Sequence, residues 1–363
     1  MLLISELRRI VIYASFLDFV APWSARYVVA YVQIFMPLLE VKNLTVRIET
    51  LKGSLSAVDN ISFSLTEGEV LGIVGESGCG KSMASYALLD LLPPFSSLEA
   101  QQLSFLNRDL LHASHREKRN LRGKDITMIF QDPMTSLNPS FTIGFQLRES
   151  IMRAEHNKKK GWRKRAIELL KHVGISEAHE RLDSYPHELS GGMCQRIMIA
   201  MAIATRPQLL IADEPTTALD VTIQAQILKL LQSLQKEFGM AMILISHNIG
   251  LLAHMANRVM VMYAGQIMEM GKTEDIILRP EHPYTQALLA ALPENYSNTK
   301  HRTELPSIPG LVPDLAHRPT GCQFHPRCKE KFDRCEKELP ELKEHNKRKI
   351  ACHLYDPPST KLT

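Results

Sequence analysis

One octet, at residues 75–82, restricts this chain more than any other stretch does. It follows an apolar, strand-like run at residues 70–74 and precedes a helix-like run at residues 83–92 that stops at Pro93. A strand, a glycine-rich loop and a helix in that order predict a loop whose backbone N–H groups converge on phosphate oxygens. The helix adds its unpaired N-terminal donors and the positive end of its dipole. The predicted phosphate-binding residues are Gly75, Glu76, Ser77, Gly78, Cys79, Gly80, Lys81 and Ser82. Lys81 is predicted to reach the β- and γ-phosphates, and the Ser82 hydroxyl to take a position on Mg²⁺.

The composition places few restrictions on function. The chain has 363 residues, which is enough for one large domain with an appendage or for two domains. Hydrophobic residues make up 45% and charged residues 23%, as in an ordinary globular protein. The net charge of +4 is too small to indicate a nucleic-acid partner.

The nearest candidate for a transmembrane helix is residues 10–35, but Asp18, Pro22 and Arg26 interrupt this stretch, so no such helix is predicted. A signal peptide is a second interpretation, and Asp18 inside its apolar core argues against it. We favour a third, in which Met36 is the natural start and residues 1–35 are translated upstream sequence.

The rest of the pattern predicts an α/β fold. Alternating apolar residues at 39–65 indicate short antiparallel strands. Residues 125–130 form another predicted strand. Apolar runs at residues 208–212 and 241–245 are typical of strands buried on both faces, and helical stretches separate the strands. Strands that alternate with helices predict a mainly parallel sheet with its ligands at the carboxyl ends of the strands.

Four polar residues follow those predicted strands. Asp213 suits Mg²⁺, and Glu214, one residue on, can polarise an attacking water. The alternative for this acidic pair is capping of the next helix. His247 suits contact with the γ-phosphate region, the alternative being a core histidine, and Gln131 suits Mg²⁺ or water.

A second anion-binding arrangement begins at residue 189. Ser190, Gly191 and Gly192 stand at the start of a helix that continues through Gln195. A second phosphate-type site so far from the first indicates either another nucleotide or the same nucleotide approached from a partner chain.

Together these motifs resemble those of the ATP-binding-cassette (ABC) ATPases. The phosphate loop, Gln131, the signature at residues 189–195, the acidic strand end, the segment 218–220 and His247 occur in the family's order. The resemblance covers roughly residues 36–295. It implies a P-loop NTPase (RecA-like) core with an antiparallel β subdomain and an inserted helical subdomain at about residues 134–190. It also implies ATP and Mg²⁺ as ligands, with Mg²⁺ held through Ser82, Gln131 and Asp213.

In this family two cassettes face each other, and each ATP lies between one chain's phosphate loop and the other chain's signature. The resemblance therefore implies that Ser190, Gly191, Gly192 and Gln195 act on the partner's nucleotide and that Asp220 lies at the dimer interface. It implies Glu214 as general base and His247 as the γ-phosphate sensor. The second cassette is expected to be a related chain, with a homodimer left open.

Residues 131–139 and 282–285 resemble the oligopeptide and dipeptide importer ATPases, whose relatives also import nickel. That resemblance implies a peripheral subunit on the cytoplasmic face of the inner or plasma membrane. Its partners would be two membrane permease subunits and, indirectly, an extracytoplasmic solute-binding protein, with no nucleic acid. Ile48 stands where the family usually places an aromatic residue on adenine, and Asn248 stands where Asp is common.

The alternatives are a cassette ATPase acting in translation or DNA repair, an exporter ATPase, and an importer ATPase for nickel or another small solute. Translation members usually carry two cassettes in one chain. Repair members interrupt the cassette with zinc modules or coiled coils. Neither feature occurs here, and we expect uptake of di- or oligopeptides driven by ATP hydrolysis.

Residues 296–363 form a predicted C-terminal extension in which prolines and charges increase. Its four cysteines are Cys322, Cys328, Cys335 and Cys352. Their spacing fits structural zinc poorly, whereas iron–sulfur ligands tolerate looser spacing and free thiols remain open. A nucleotide-hydrolysing protein belongs in the cytosol, which argues against two disulfides. The extension resembles that of peptide-importer ATPases, some of which ligate a [4Fe-4S] cluster, and this implies a cluster held by the four cysteines.

Overall fold

The computed structural model describes residues 37–51, 53–154, 161–217, 219–292 and 308–356. The predictions for residues 1–35 and for Ala218 lie outside these ranges. In chain order the strands are β1 (Leu39–Thr50), β2 (Gly53–Leu65), β3 (Val70–Val74), β4 (Ser96–Glu99), β5 (Gln102–Phe105), β6 (Arg108–Asp109), β7 (Ile126–Ile129), β8 (Leu209–Asp213), β9 (Ala241–Ser246), β10 (Arg258–Tyr263), β11 (Gln266–Lys272), β12 (Lys343–His345) and β13 (Arg348–Ile350). The helices are α1 (Lys81–Leu89), α2 (His115–Leu121), α3 (Pro133–Ser136), α4 (Ile143–Ala154), α5 (Trp162–His172), α6 (Ala178–Arg181), α7 (Gly191–Ile203), α8 (Val221–Phe238), α9 (Ile249–Ala253), α10 (Thr273–Leu278), α11 (Pro283–Ala290) and α12 (Asp333–Lys337).

The described strands form two sheets. The smaller sheet is antiparallel, in the order β2-β1-β5-β6, with β4 also paired to β1. The larger sheet has the order β12-β13-β11-β10-β3-β9-β8-β7, and its strands from β10 to β7 are parallel to one another. The predicted mainly parallel sheet and its antiparallel neighbour are therefore confirmed.

The larger sheet is buried on both faces, which explains its near-continuous apolar runs. Along β3, Val70 and Val74 pack with the helices α4, α5, α7 and α8. Leu71 and Ile73 point to the other face, where they pack with α1 and the antiparallel sheet. The sheet is thus the middle layer of three, and its strand ends are held between two cores.

The stretch between β7 and β8 is mostly helical. Asp132 caps α3 by accepting the N–H of Met134, and Pro133 occupies the first helical position. Apolar stripes on α4 and α5, such as Ile143 and Leu147 on α4 and Leu170 on α5, are buried in the core that α7 shares. None of the helices in the described ranges is long and apolar enough to cross a membrane.

The C-terminal extension continues the larger sheet, although no strands are predicted there from the sequence. Strand β13 pairs antiparallel with β11, Ile350 opposite Glu269. A buried ion pair crosses this junction, with Arg348 Nη1 at 2.9 Å from Glu269 Oε1. The extension is therefore anchored on the same sheet that carries the phosphate loop.

Candidate nucleotide site

The phosphate loop joins β3 to α1 and is built on glycines for steric reasons. A Cβ at Gly75 would overlap the carbonyl oxygen of Met262, and one at Gly80 would overlap the carbonyl oxygen of Ala57. Gly80 also has φ +98°, in the left-handed region that favours glycine, and it caps α1 without a side-chain oxygen. The first N–H groups of α1 therefore have no side-chain acceptor and are available to a phosphate.

Lys81 lies inside the loop with 5% of its surface exposed. Its ammonium donates to the carbonyl oxygens of Gly75 at 2.8 Å and of Glu76 at 3.0 Å. Cys79 is fully buried beside it, and burial raises the pKa of that thiol, against the lowering effect of Lys81. The Lys81 cation is thus held on the loop that the sequence predicts for the phosphates.

Two contacts to the loop come from residues that the sequence analysis did not assign to the site. The backbone N–H of Glu76 donates to Tyr284 Oη at 3.0 Å, and the carboxylate of Glu76 forms an ion pair with Arg327 at 2.7 Å. Tyr284 lies in the segment 282–285, which the sequence analysis used only as a family resemblance. Arg327 lies between Cys322 and Cys328, in a segment whose main sequence signal is the spacing of its cysteines.

Asp213 has the properties of a cation ligand. It ends β8, is 1% exposed, and neither of its carboxylate oxygens has a hydrogen bond of good geometry, although the Ser82 hydroxyl lies close enough to lower its pKa. Burial raises its pKa, an effect that the Ser82 hydroxyl and Lys81 oppose and Glu214 strengthens. A buried carboxylate without partners is costly, and Mg²⁺ prefers oxygen ligands of this kind. The residues present, Asp213 with the adjacent Ser82 hydroxyl, therefore fit Mg²⁺.

The other polar residues at this edge converge on one oxygen of Glu214. Glu214 Oε2 accepts from Gln131 Nε2 at 2.9 Å and from the Thr217 hydroxyl at 3.0 Å, and His247 Nδ1 lies 3.7 Å away. Three parallel strands bring them together, because Gln131 follows β7, Asp213 ends β8 and His247 follows β9. Thr217 is a further contact that the sequence analysis did not identify. Glu214 at this edge can therefore accept a proton from water, and the hydrogen bonds from Gln131 and Thr217 fix the position of its carboxylate.

The signature residues lie elsewhere. Ser190 caps α7, its hydroxyl accepting the N–H of Met193 at 3.4 Å, and Gly192 leaves little room for a side chain against Ile223. Within the described ranges, no hydrogen bond or ion pair joins residues 190–195 to the phosphate loop.

The other two residues assigned to the partner's nucleotide or to the interface differ in their surroundings. Gln195 is 1% exposed, and its side-chain nitrogen has no hydrogen-bond partner. Asp220 caps α8 by accepting the N–H of Ile223 at 2.9 Å. Ile48 stands at the position where the family usually has an aromatic residue that stacks on adenine. It lies in β1 opposite Leu55 of β2 and is half-buried.

The four C-terminal cysteines line one cavity together with His282 and Phe324. All four are free thiols. Burial raises the pKa of Cys322 to about 11 and that of Cys352 to about 12, and it also raises the pKa of Cys328. Within the described ranges, no group of three or more His, Cys, Asp or Glu side chains is arranged to hold a single metal ion. The cavity is thus lined by four thiols, and the sequence-based expectation of a cluster stays a prediction.

Comparison with known protein families agrees with this geometry. A family model described as "ABC transporter" matches residues 58–217, which include the phosphate loop, Gln131, the signature and Glu214. A second model, "Oligopeptide/dipeptide transporter, C-terminal region", matches residues 268–335, which include Tyr284 and three of the four cysteines.

Among curated proteins, the chain is 53% identical over 318 residues to the dipeptide transport ATP-binding protein DppD of Haemophilus influenzae, covering 88% of this chain and 96% of that protein. It is 50% identical over 288 residues to the oligopeptide transport ATP-binding protein OppD of Bacillus subtilis, covering 79% of this chain and 80% of the relative.

Among solved structures, it is similar to the dimeric post-hydrolysis state of the ATP-binding cassette MJ0796 bound to ADP and Pi. The TM-score is 0.58 and the identity 28%, over 65% of this chain and 98% of that one. The predicted P-loop NTPase fold and ATPase activity are confirmed, and a cassette acting in translation or repair is not favoured. The chain belongs to the ATP-binding subunits of ABC transporters, in the family of the dipeptide and oligopeptide transport ATP-binding proteins.

Proposed function

We propose that this chain hydrolyses ATP at the edge of its larger sheet to drive the uptake of di- or oligopeptides through separate membrane subunits. The observation that carries the ATPase assignment is the convergence of Gln131, Thr217 and His247 on Glu214, beside a buried, unpartnered Asp213. The peptide cargo is supported by the printed names of relatives at about half identity and by the match of the C-terminal region.

In this proposal the nucleotide phosphates lie on the phosphate loop. The glycines give them access to backbone N–H groups, and Lys81 shifts its hydrogen bonds from the loop carbonyls to the β- and γ-phosphates. Ser82, Asp213 and Gln131 hold Mg²⁺, which supplies charge neutralisation on the phosphate oxygens. Because the oxygens of Asp213 make no hydrogen bond of good geometry, they are available as cation ligands without any rearrangement of the site.

Glu214 is proposed as the general base. Its carboxylate accepts the proton of the attacking water, while Gln131 and Thr217 keep one of its oxygens in place. His247 is 63% exposed in its side chain, so it can turn from Glu214 toward the γ-phosphate. The two roles use neighbouring groups on one sheet edge and need no rearrangement of the strands.

The second half of each ATP site is proposed to come from another cassette. Ser190, Gly191, Gly192 and Gln195 are assigned to the partner's nucleotide, and Asp220 to the interface. Support comes from their separation from this chain's own phosphate loop and from the dimeric state of the related cassette. A related second chain is our preferred partner, and a homodimer is the alternative.

The membrane partner is proposed to dock beside the helical stretch after β7. Phe130 is exposed there and lines a groove together with Leu137, Met152 and Met198, and Met134 of α3 is exposed as well. The same segment begins at Gln131, so a permease seated in this groove would sense whether Glu214 and Gln131 are engaged. In this proposal the chain is a peripheral subunit on the cytoplasmic face of the membrane, with two permease subunits and, indirectly, an extracytoplasmic solute-binding protein.

The four cysteines are proposed to ligate a [4Fe-4S] cluster. They are free, buried or half-buried, and they surround one cavity, which is the donor set such a cluster uses. In a four-iron cluster each thiolate binds a different iron, so the sulfurs stand farther apart than around one zinc ion. Burial raises the pKa of Cys322 and of Cys352, which favours their thiol forms, so cluster binding would have to displace those protons.

Anaerobically purified protein tests the cluster. We expect absorbance near 400 nm and iron bound with acid-labile sulfide, lost in Cys322→Ser and retained in Cys194→Ser, a cysteine outside the cavity. Stoichiometric zinc without iron would overturn the cluster.

Transport tests the function. A strain that lacks this chain should fail to accumulate labelled di- and oligopeptides, and the wild-type chain but not Lys81→Ala should restore uptake. Restoration of full uptake by Lys81→Ala would remove the phosphate loop from the mechanism. Normal peptide uptake in the deletion strain, with loss of nickel uptake instead, would move the cargo to nickel.

A further inference from the structure

We propose that Arg327 of the C-terminal extension is a positioning residue for the phosphate loop. It holds the carboxylate of Glu76, and through Glu76 it orients the peptide that binds Lys81. This inference rests on the proposed binding of ATP at that loop, and it makes the cysteine-rich extension a part of the nucleotide site.

The guanidinium of Arg327 uses all five of its N–H donors. Nη1 donates to Glu76 Oε2 at 2.7 Å and to the Tyr263 hydroxyl at 3.2 Å. Nη2 donates to Glu76 Oε1 at 3.0 Å and to the Ile308 carbonyl at 3.2 Å, and Nε donates to the Pro309 carbonyl at 2.9 Å. The Arg327 side chain is 4% exposed. A buried, two-pronged pair with every donor satisfied has one geometry, so it restricts where the Glu76 carboxylate can lie.

Each polar group of Glu76 is engaged in turn. Its carboxylate binds Arg327, its N–H donates to Tyr284 Oη at 3.0 Å, and its carbonyl accepts from Lys81 Nζ at 3.0 Å. The chain of contacts from Arg327 to Lys81 therefore passes through one residue. A shift of Glu76 would move the carbonyl that sets where Lys81 waits for the phosphates.

The extension is fixed against the same two tyrosines. Phe324 is 2% exposed, and its ring lies 5.3 Å from the ring of Tyr263 and 5.2 Å from that of Tyr284. Arg327 follows Phe324 by three residues, in a short 3₁₀ turn at His325–Arg327. The segment therefore packs Phe324 against Tyr263 and Tyr284 and pairs Arg327 with Glu76, and the buried aromatic contact restricts the backbone that carries Arg327.

Charge adds a second reason for the pair. Glu76 places a carboxylate inside a loop that must accept a highly anionic triphosphate. Arg327 compensates that charge at close range. Without the arginine, the free carboxylate would lie within a Debye length of the phosphates and repel them, an effect that salt would weaken.

The test is equilibrium binding of a fluorescent ATP analogue (MANT-ATP with Mg²⁺) to the full chain. We expect Arg327→Met to raise Kd by about tenfold, the size of one charge-assisted contact. The increase should shrink as salt rises. Arg327→Lys should raise Kd less, because lysine keeps the charge without the two-pronged geometry. In the transport complex, KM for ATP should rise while kcat at saturating ATP stays near wild type, since Arg327 touches neither Glu214 nor Gln131.

The route through Glu76 has its own readout. Glu76→Gln added to Arg327→Met removes the uncompensated charge, so the double variant should bind ATP more tightly than Arg327→Met. Arg334→Met is the matched control. It removes a half-buried arginine of the same extension, paired with Glu338 at 2.6 Å and with Asp356 at 3.0 Å away from the phosphate loop, and should leave Kd unchanged.

Wild-type Kd in folded Arg327→Met would overturn the proposal, and a double variant as weak as Arg327→Met would overturn the route through Glu76. If Arg327→Met does not fold, an unchanged Kd in Arg327→Lys overturns it instead. Wild-type ATP binding by Lys81→Ala would be a different result, because it would refute the nucleotide site itself.

Discussion

Replacing Asp213 with asparagine should make the nucleotide-free protein more stable while it impairs Mg²⁺-dependent binding. The Asp213 carboxylate is 1% exposed, and its two oxygens have no hydrogen-bond partner. Burial raises its pKa, which means that its surroundings disfavour the charged form of the carboxylate. Asparagine has nearly the same size and removes that charge.

The magnitude follows from the cost of an unsatisfied buried group. Such a group costs about 1–3 kcal/mol, and more when it is charged. The asparagine amide is buried there too, so the gain is only the extra cost of the charge, which should raise the free energy of unfolding by about 1–3 kcal/mol. A domain of about 150–250 residues gains roughly 2–4 °C of Tm per kcal/mol. We therefore expect Tm in EDTA to rise by about 2–12 °C.

Thermal melts with EDTA and with Mg²⁺–ATP measure both effects. Wild-type Tm should rise on adding Mg²⁺–ATP, and Asp213→Asn should lose most of that rise because the cation ligand is gone. Asp220→Asn is the matched control. Asp220 caps α8 through Ile223, asparagine caps about as well, and Tm should stay unchanged in EDTA. A lower Tm for Asp213→Asn than for wild type in EDTA would refute the reasoning.

Three further outcomes can be checked. Glu214→Gln should bind MANT-ATP as tightly as the wild type, while its rate of phosphate release in the complex should fall by a factor of about 10²–10⁴. Turnover at the wild-type rate would show that Glu214 is not the general base. Gly80→Ala should abolish ATP binding because the new methyl group overlaps the Ala57 carbonyl, and Gly161→Ala, where a methyl group meets open space at a similar positive φ, is the control. Burial lowers the pKa of His282 to about 4, so the folded state favours the neutral ring and loses stability as pH falls below about 6.5 toward 4, by up to about 3 kcal/mol. His282→Asn keeps a capping acceptor for the Tyr284 N–H and should flatten that part of the pH–stability curve in urea melts, and an unchanged curve would contradict the assignment.

Most of the fold was predictable because its signals are local. The apolar runs of β8 and β9 are continuous since both sheet faces are covered, and the loop before α1 needs glycine wherever backbone approaches backbone. The strands of the extension were missed. Strand β13 (Arg348–Ile350) has only three residues, and its charged side chains favour the prediction of a turn. Its pairing with β11 joins positions about eighty residues apart, which no local pattern indicates.

In the candidate site, too, the positions of the residues were predictable and their contacts were not. Sheet topology alone places four residues at one edge, because each lies at or just after the end of a strand: Gln131, Asp213, Glu214 and His247. That Glu214 Oε2 is the shared acceptor, and that Thr217 also binds it, depends on side-chain packing that no spacing encodes.

The sequence by itself determined the phosphate loop, the order of the family's motifs and the strand ends where ligands bind, because each depends on neighbours a few residues away. Only the tertiary structure decided what supports that loop. The ion pair of Arg327 with Glu76 spans 251 residues. Neither residue type is unusual where it stands, and burial is what gives the pair a single geometry.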